Sequence, residues 1–143
     1  MRLPVFLLLM FLAGALGAAE AVPGCGPQTN VPDAERLANT LRWTTASEQD
    51  NFGYDVFRGT AEKGPFRKLT SKPILGNGTT DETSNYSYRD ASIDPCKSYW
   101  YYVESISTQG ERERFTPIFQ AKAKRPALKS AEKDAGAAGS RDH

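Results

Sequence analysis

Histidine is all but missing from this chain: the single copy is His143, the last residue. Imidazole-based triads and His-containing zinc sites are thereby excluded from the body of the sequence. Cysteine is nearly as scarce, and Cys25 and Cys96 alone cannot hold a structural zinc ion. No glycine-rich dinucleotide fingerprint, phosphate-binding loop or HExxH helix occurs. The stretch Gly76 to Thr83 (GNGTTDET) mixes glycines with carboxylates but lacks the spacing of a calcium loop, and reads as a solvated turn. Nothing here supplies a nucleophile with its base, so no catalytic residue, metal ligand or cofactor is expected.

An excess of one charge is lacking as well. Eighteen basic residues face seventeen acidic ones, a net charge of +1, which removes the basic footprint that nucleic acids and anionic membranes require. Glu111, Arg112, Glu113 and Arg114 alternate in sign, the pattern of a solvent-facing hairpin. Asn77-Gly78-Thr79 and Asn85-Tyr86-Ser87 fit the N-glycosylation triplet, a pattern short enough to arise by chance.

Long apolar runs are confined to the N-terminus. Arg2 precedes LPVFLLLMFLAGALGA, and small residues follow at cleavage spacing, Gly17-Ala18-Ala19 or Ala19-Glu20-Ala21. The run is shorter than the about 20 residues of a spanning helix, and residues 1–21 read as a signal peptide. The mature chain is then secreted or periplasmic. An exported pair of cysteines is a disulfide candidate, and a loop of that length would contribute about 4 kcal/mol. Two alternatives stand beside it. Cys25 in VPGC could be lipid-modified, although Glu20 and Pro23 fit such a site poorly; only then would the protein be membrane-anchored, at the cell envelope. Both thiols could also be free.

Aromatic residues make up 10% of the chain, and their spacing carries the fold. In IDPCKSYWYYVES, Ile93, Pro95, Tyr99, Tyr101 and Val103 fall on alternating positions, so that face must be buried. Leu41 and Trp43 alternate in a strand over Leu37–Thr45, and Tyr54 and Val56 in another after the polar turn SEQDNF. A turn at Gly64 lets Phe66–Leu69 pair back. Ile74 and Leu75 mark a short edge strand or extended loop beside Pro73, and Tyr86 and Tyr88 alternate in a further strand. The last strand spans Phe115–Ala123, with Pro117 placing it at an edge. Residues 22–33, rich in Pro and Gly, form a linker into a short first strand. The tail 125–143 has no aromatic or β-branched residue after Pro126 and is expected to be flexible, with at most a weak helix over 127–135.

On these segments the chain resembles a fibronectin type III domain, in the manner of bacterial extracellular members. The likeness is carried by Leu41 and Trp43, by Gly53, Tyr54 and Val56, by Tyr86, Tyr88 and Asp90, and by Ile93, Pro95 and Tyr99. These last fit the family's Leu-x-Pro-Gly-Thr-x-Tyr motif, with Cys96 and Lys97 replacing its Gly and Thr. The resemblance implies an all-β, immunoglobulin-like two-sheet sandwich of about seven strands over residues 34–124. Tyr99 would close a corner hydrogen bond. It also implies that a Cys25–Cys96 bond needs the linker to run back along the sheet, because the first strand starts at the opposite end. Arg58-Gly59 is followed by Thr60, so integrin-type adhesion is unsupported.

With the inward row assigned, Trp100 and Tyr102 face outward. Since the family pairs the strands of Phe57 and Tyr102, Phe57, Trp100 and Tyr102 would form an exposed aromatic platform, a candidate binding site. The linker or the tail covering these rings is the alternative. The expected function is a non-catalytic, exported binding or scaffold module with a protein partner, or alternatively a carbohydrate-recognition accessory protein stacking sugars on those rings.

Overall fold

In the computed structural model, residues 24–125 are described. The expected signal peptide over 1–21 and the tail beyond Arg125 lie outside them. The described chain is an antiparallel, all-β two-sheet sandwich of eight strands: β1 (Asn39–Thr45), β2 (Glu48–Gly59), β3 (Phe66–Lys68), β4 (Ile74–Thr80), β5 (Ser84–Asp90), β6 (Tyr99–Ser107), β7 (Arg112–Arg114) and β8 (Phe119–Ala121). The small sheet is β1 with β5. In the large sheet β2 and β6 are central; β3 and β4 share the outer side of β2, and β7 and β8 share that of β6.

The expected alternation fixes the core. Leu41, Trp43, Tyr54, Val56, Ile93, Tyr99, Tyr101 and Val103 form one buried cluster. Trp43 stands edge-on to Tyr54 at 5.5 Å and stacks on Tyr86 at 5.6 Å, which ties β1, β2 and β5 across the two layers. Tyr99 opens β6, and its hydroxyl accepts the Asp94 amide N–H at 2.9 Å, closing the expected corner.

Charged groups then pin the layers together. Asp90 at the end of β5 accepts from Arg58 of β2 at 2.7 Å and from the Tyr101 hydroxyl of β6 at 2.8 Å. Tyr101 accepts in turn from the Asn39 amide of β1 at 2.8 Å. Burial raises the Asp90 pKa, but hydrogen bonds from Ser92, Tyr101 and Arg58 outweigh it and hold the carboxyl below its ordinary value.

Four expectations change. Gly76–Thr80, read as part of a solvated turn, belongs to β4 and pairs with β2. The polar stretch SEQDNF is not a turn: β2 starts at Glu48 and runs twelve residues. It is bulged around Asn51–Gly53, and Asp50 takes a positive φ of 49°. Its polar residues belong in a strand because Glu48 is buried in a cage of donors and β4 pairs alongside. At Gly53 a Cβ would come within 2.4 Å of the Ile74 carbonyl oxygen, so glycine is what lets β4 approach. No short first strand forms among the described residues; a 3-10 turn over Asp33–Glu35 stands there instead. The last strand, expected over Phe115–Ala123, is confined to β8, and β7 forms before it within the charged stretch Arg112–Arg114.

The linker folds back at one end of the sandwich. The Gly26 amide donates to Asp94 Oδ1 at 2.9 Å, the Gln28 amide bonds both Leu37 and Ile93, and Arg89 donates to the carbonyls of Asp33 and Arg36. Cys25 thereby meets Cys96 and forms the disulfide, with Cα atoms 5.3 Å apart. Because no first strand runs down the sheet, the linker has no length of sheet to retrace. A sulfur in this bond has no thiol to carry a lipid, so among the three cysteine states the structure holds the disulfide.

Two stability outcomes follow. Replacing both cysteines by serine removes a crosslink across a sequence separation of 71 and lowers unfolding free energy by about 4 kcal/mol. Arg58→Ala leaves Asp90 buried without its cation, and urea titration is expected to show a loss of about 3–5 kcal/mol.

Candidate functional site

The outer face of the large sheet gathers the aromatic residues that the core leaves out. Cross-strand partners in an antiparallel ladder share a face. Phe57 lies opposite Tyr102, Gly59 opposite Trp100, and β3 adds Phe66 opposite Gly59 and Lys68 opposite Phe57. Phe57 and Tyr102 stack at 4.8 Å with planes 5° apart, and Phe66 meets Tyr102 edge-on at 5.1 Å. Gly59 makes room for this: a Cβ there would stand 3.1 Å from the Phe66 ring. The Arg114 guanidinium lies 4.9 Å from the Tyr102 centroid.

All three expected platform residues thus share one face, each half-buried. Their rings are not equivalent. Tyr102 is engaged by Phe57, by Phe66 and by Arg114, whereas Trp100 stacks on no ring among the described residues. Two members escaped the sequence reading. Phe66 enters only through the β2–β3 register, which the loop between those strands hides. Arg114 belonged to a charge alternation that reads as solvated until β7 is seen to pair with β6.

Beside the rings lies a charged cluster. Asp55 is fully buried although its strand position faces outward. It accepts from Thr70 Oγ1 at 2.6 Å and from Arg112 at 2.9 Å, and Lys68 stands 3.6 Å away. Arg112 also reaches Glu104 at 2.8 Å. Burial pushes the Asp55 pKa up, and the Thr70 and Arg112 hydrogen bonds with the two cations more than reverse it. This cluster fixes the floor beside the aromatic patch.

At one end of the sandwich a concavity of about 520 Å³ is lined by Glu48, Asp50, Asn51, Tyr54, Arg112 and Phe115, among others. Its most perturbed group is Glu48. The carboxylate accepts from Thr45 Oγ1 at 2.9 Å, Asn51 Nδ2 at 2.8 Å, the Asn77 amide at 2.8 Å and the Tyr86 hydroxyl. Burial raises its pKa, but these four donors overcome that and bring it down to about 2. Tyr54 nearby is pushed up to about 12 by burial and the Glu48 charge. A carboxylate ionised that firmly neither gives nor takes a proton near neutrality. Its work is to hold β1, β2, β4 and β5 together.

Cys25, Asp94 and Cys96 bring their ligand atoms within 4.8 Å of one another. Both sulfurs are committed to the disulfide, so that cluster is not a metal site in this state.

No family model matches the chain, and no solved structure matches it either. Over 87 residues it is 29% identical to an amylopullulanase of Thermoanaerobacter thermohydrosulfuricus. The matched stretch is 60% of this chain but 5% of the amylopullulanase. The likeness is to a small portion of a much larger protein.

The Glu48 cage makes a pH prediction. A depressed carboxylate contributes stability above its unfolded pKa of 4.5 and loses it as pH falls through its folded value of about 2. Glu48→Gln is expected to cost about 2 kcal/mol at pH 7 and to flatten the stability profile between pH 4.5 and 2. Urea midpoints across that window measure both.

Proposed function

We propose that this chain is an exported, non-catalytic binding module of the fibronectin type III kind that recognises a protein partner through the outer face of its large sheet. The observation that carries the reading is the four-ring patch of Phe57, Phe66, Trp100 and Tyr102, on three strands of one face. A contiguous apolar patch on a sheet face is a common interaction surface. Aromatics at the centre with a rim of arginine and other polar groups around them match the make-up of protein interfaces. Lys68, Gln120 and Arg114 supply that rim. The family reading is supported by the two-sheet sandwich, by Trp43 in its core and by the Tyr99 corner. Export is supported by the disulfide, which persists in oxidising compartments, together with the N-terminal apolar run.

A second reading, carbohydrate recognition, is favoured by the likeness to an amylopullulanase, whose name describes action on glucans. The geometry supports it less. Stacking on a sugar needs a ring face turned to solvent. Tyr102 has its faces engaged by Phe57 and Arg114, while Trp100 stacks on no ring among the described residues.

Affinity electrophoresis in gels containing amylose or pullulan separates the two. The protein reading expects unchanged mobility, and a photo-cross-linker in place of Gln120 is expected to capture a discrete polypeptide in the native envelope fraction. Tyr102→Ser is expected to reduce that adduct about tenfold, in keeping with a central aromatic anchor. Retardation by a glucan that disappears in folded Trp100→Ala would transfer the assignment to the second reading; neither signal would leave the face without this role.

A further inference from the structure

The two sheets do not match in width, and the mismatch lies on one side. Asp90 of β5 pairs with Arg58 of β2, and Tyr86 of β5 bonds Glu48 of β2 and Asn77 of β4. Asn39 of β1 reaches Tyr101 of β6, and Trp43 of β1 meets Tyr54 of β2. The small sheet therefore sits over β2 and β6, with β5 on the β4 side and β1 toward the β7–β8 side. No described residue pairs with the outer edge of β1, whereas the large sheet continues past β6 into β7 and β8.

The uncovered strip has an apolar floor. Phe115, just after β7, meets the core ring of Tyr54 edge-on at 5.3 Å, and Phe119 of β8 stacks on the core ring of Tyr101 at 6.0 Å. Both phenylalanines therefore lie on the inner side of the large sheet, yet they are 42% and 37% exposed. On the inner side of β1, Trp43 Nε1 and Asn39 Oδ1 are buried without a hydrogen-bond partner among the described residues. Seven backbone positions of β1 run beside the strip.

We infer that this strip is a docking slot for one extended strand donated by another polypeptide, which would pair with the free edge of β1 and cover Phe115 and Phe119. The mode is strand addition, in which main-chain hydrogen bonds give affinity and alternate side chains give register. The inference does not depend on the outer-face reading, since the slot faces the interior between the sheets.

If residues 1–21 are removed as a signal peptide, the segments that remain do not suit the slot. Residues 24–38, which lead into β1, are tied back by the disulfide, by Gln28 and by Arg89. The sequence beyond Arg125 holds no aromatic or β-branched residue to lay on the two phenylalanines. A second copy pairing β1 to β1 would bring its own β7 and β8 into the same space, because the large sheet overhangs by only one strand, about 4.8 Å. What fits is a free-standing extended segment, apolar at every second residue. Arg42, exposed on the solvent face of β1 between Thr40 and Thr44, favours an acidic residue directly opposite.

The test uses the full mature chain and a synthetic nine-residue peptide alternating threonine and valine, with glutamate at its centre. Amide hydrogen exchange is followed across Asn39–Thr45. At ten times its Kd the peptide is expected to slow every second β1 amide about tenfold, and a scrambled peptide to slow none. Phe119→Glu or Phe115→Glu, checked for fold by circular dichroism, is expected to abolish the protection. The same strand fused after His143 through a glycine–serine linker raises its effective concentration to about the millimolar range and is expected to protect the same amides. Absence of protection in both formats overturns the proposal. So does protection already present in the free chain, whether it is lost on deleting residues 126–143, which makes the tail the occupant, or on dilution, which makes a second copy the occupant.

Discussion

The buried Asp90 carboxylate is the point on which this sandwich closes. It sits at the end of β5 with 2% of its side chain exposed, and it accepts from side chains on two strands of the opposite sheet. Burying a charge costs several kcal/mol unless geometry and hydrogen bonds return it. Here Arg58 returns the charge, while Tyr101 and Ser92 satisfy the remaining lone pairs. Arg58 also lies 4.7 Å from the Tyr99 ring, so the same cation touches the corner that opens β6. An apolar core accepts many packings of similar density, but this arrangement accepts one register. Shifting β5 by one residue would turn Asp90 into solvent and strand Arg58 inside.

The Glu48 cage repeats the device at the other end of the sheets. One ionised group is held by donors from four strands, namely Thr45, Asn51, Asn77 and Tyr86. Both devices explain what was and was not legible in the sequence. The rows led by Tyr99, Tyr101 and Val103 and by Leu41 and Trp43 were legible because burial of apolar side chains imposes a period of two. The first half of β2 was not, since Glu48, Asp50 and Asn51 look like a turn by composition. They form a strand only because Glu48 finds its donors, one of them the backbone of β4, 29 residues on. Likewise Phe66 joins the outer patch by a register that depends on how the intervening loop turns, and residue type alone does not encode that.

The disulfide shows a different limit. Composition permitted a bond, a lipid site or free thiols, and the resemblance added an objection of distance. The objection assumed a first strand running the length of the small sheet. With that strand absent, the linker turns over at the Asp94 end, where Gly26 and Cys96 both donate to one carboxylate oxygen. Cys25 then needs to travel no distance. The crosslink and the uncovered β1 edge are therefore two consequences of one choice. Chain that would have completed the small sheet is spent on the end of the sandwich, and the edge of β1 is left unpaired among the described residues.

The outer face is organised on another principle. Three of its rings stand against one another: Tyr102 is held by Phe57, by Phe66 in a T-shaped contact and by Arg114. Each contact restricts a rotamer before any partner arrives, and a surface ordered in advance loses less entropy on binding. The Asp55 cluster extends that order into the charged rim by holding Arg112 and Lys68 on one carboxylate. A platform for sugars needs the opposite, ring faces left free to receive a pyranose, and the faces of Tyr102 are already taken by Phe57 and Arg114. The packing of the patch is thus that of a surface ordered in advance, the property on which the proposed protein-binding role rests.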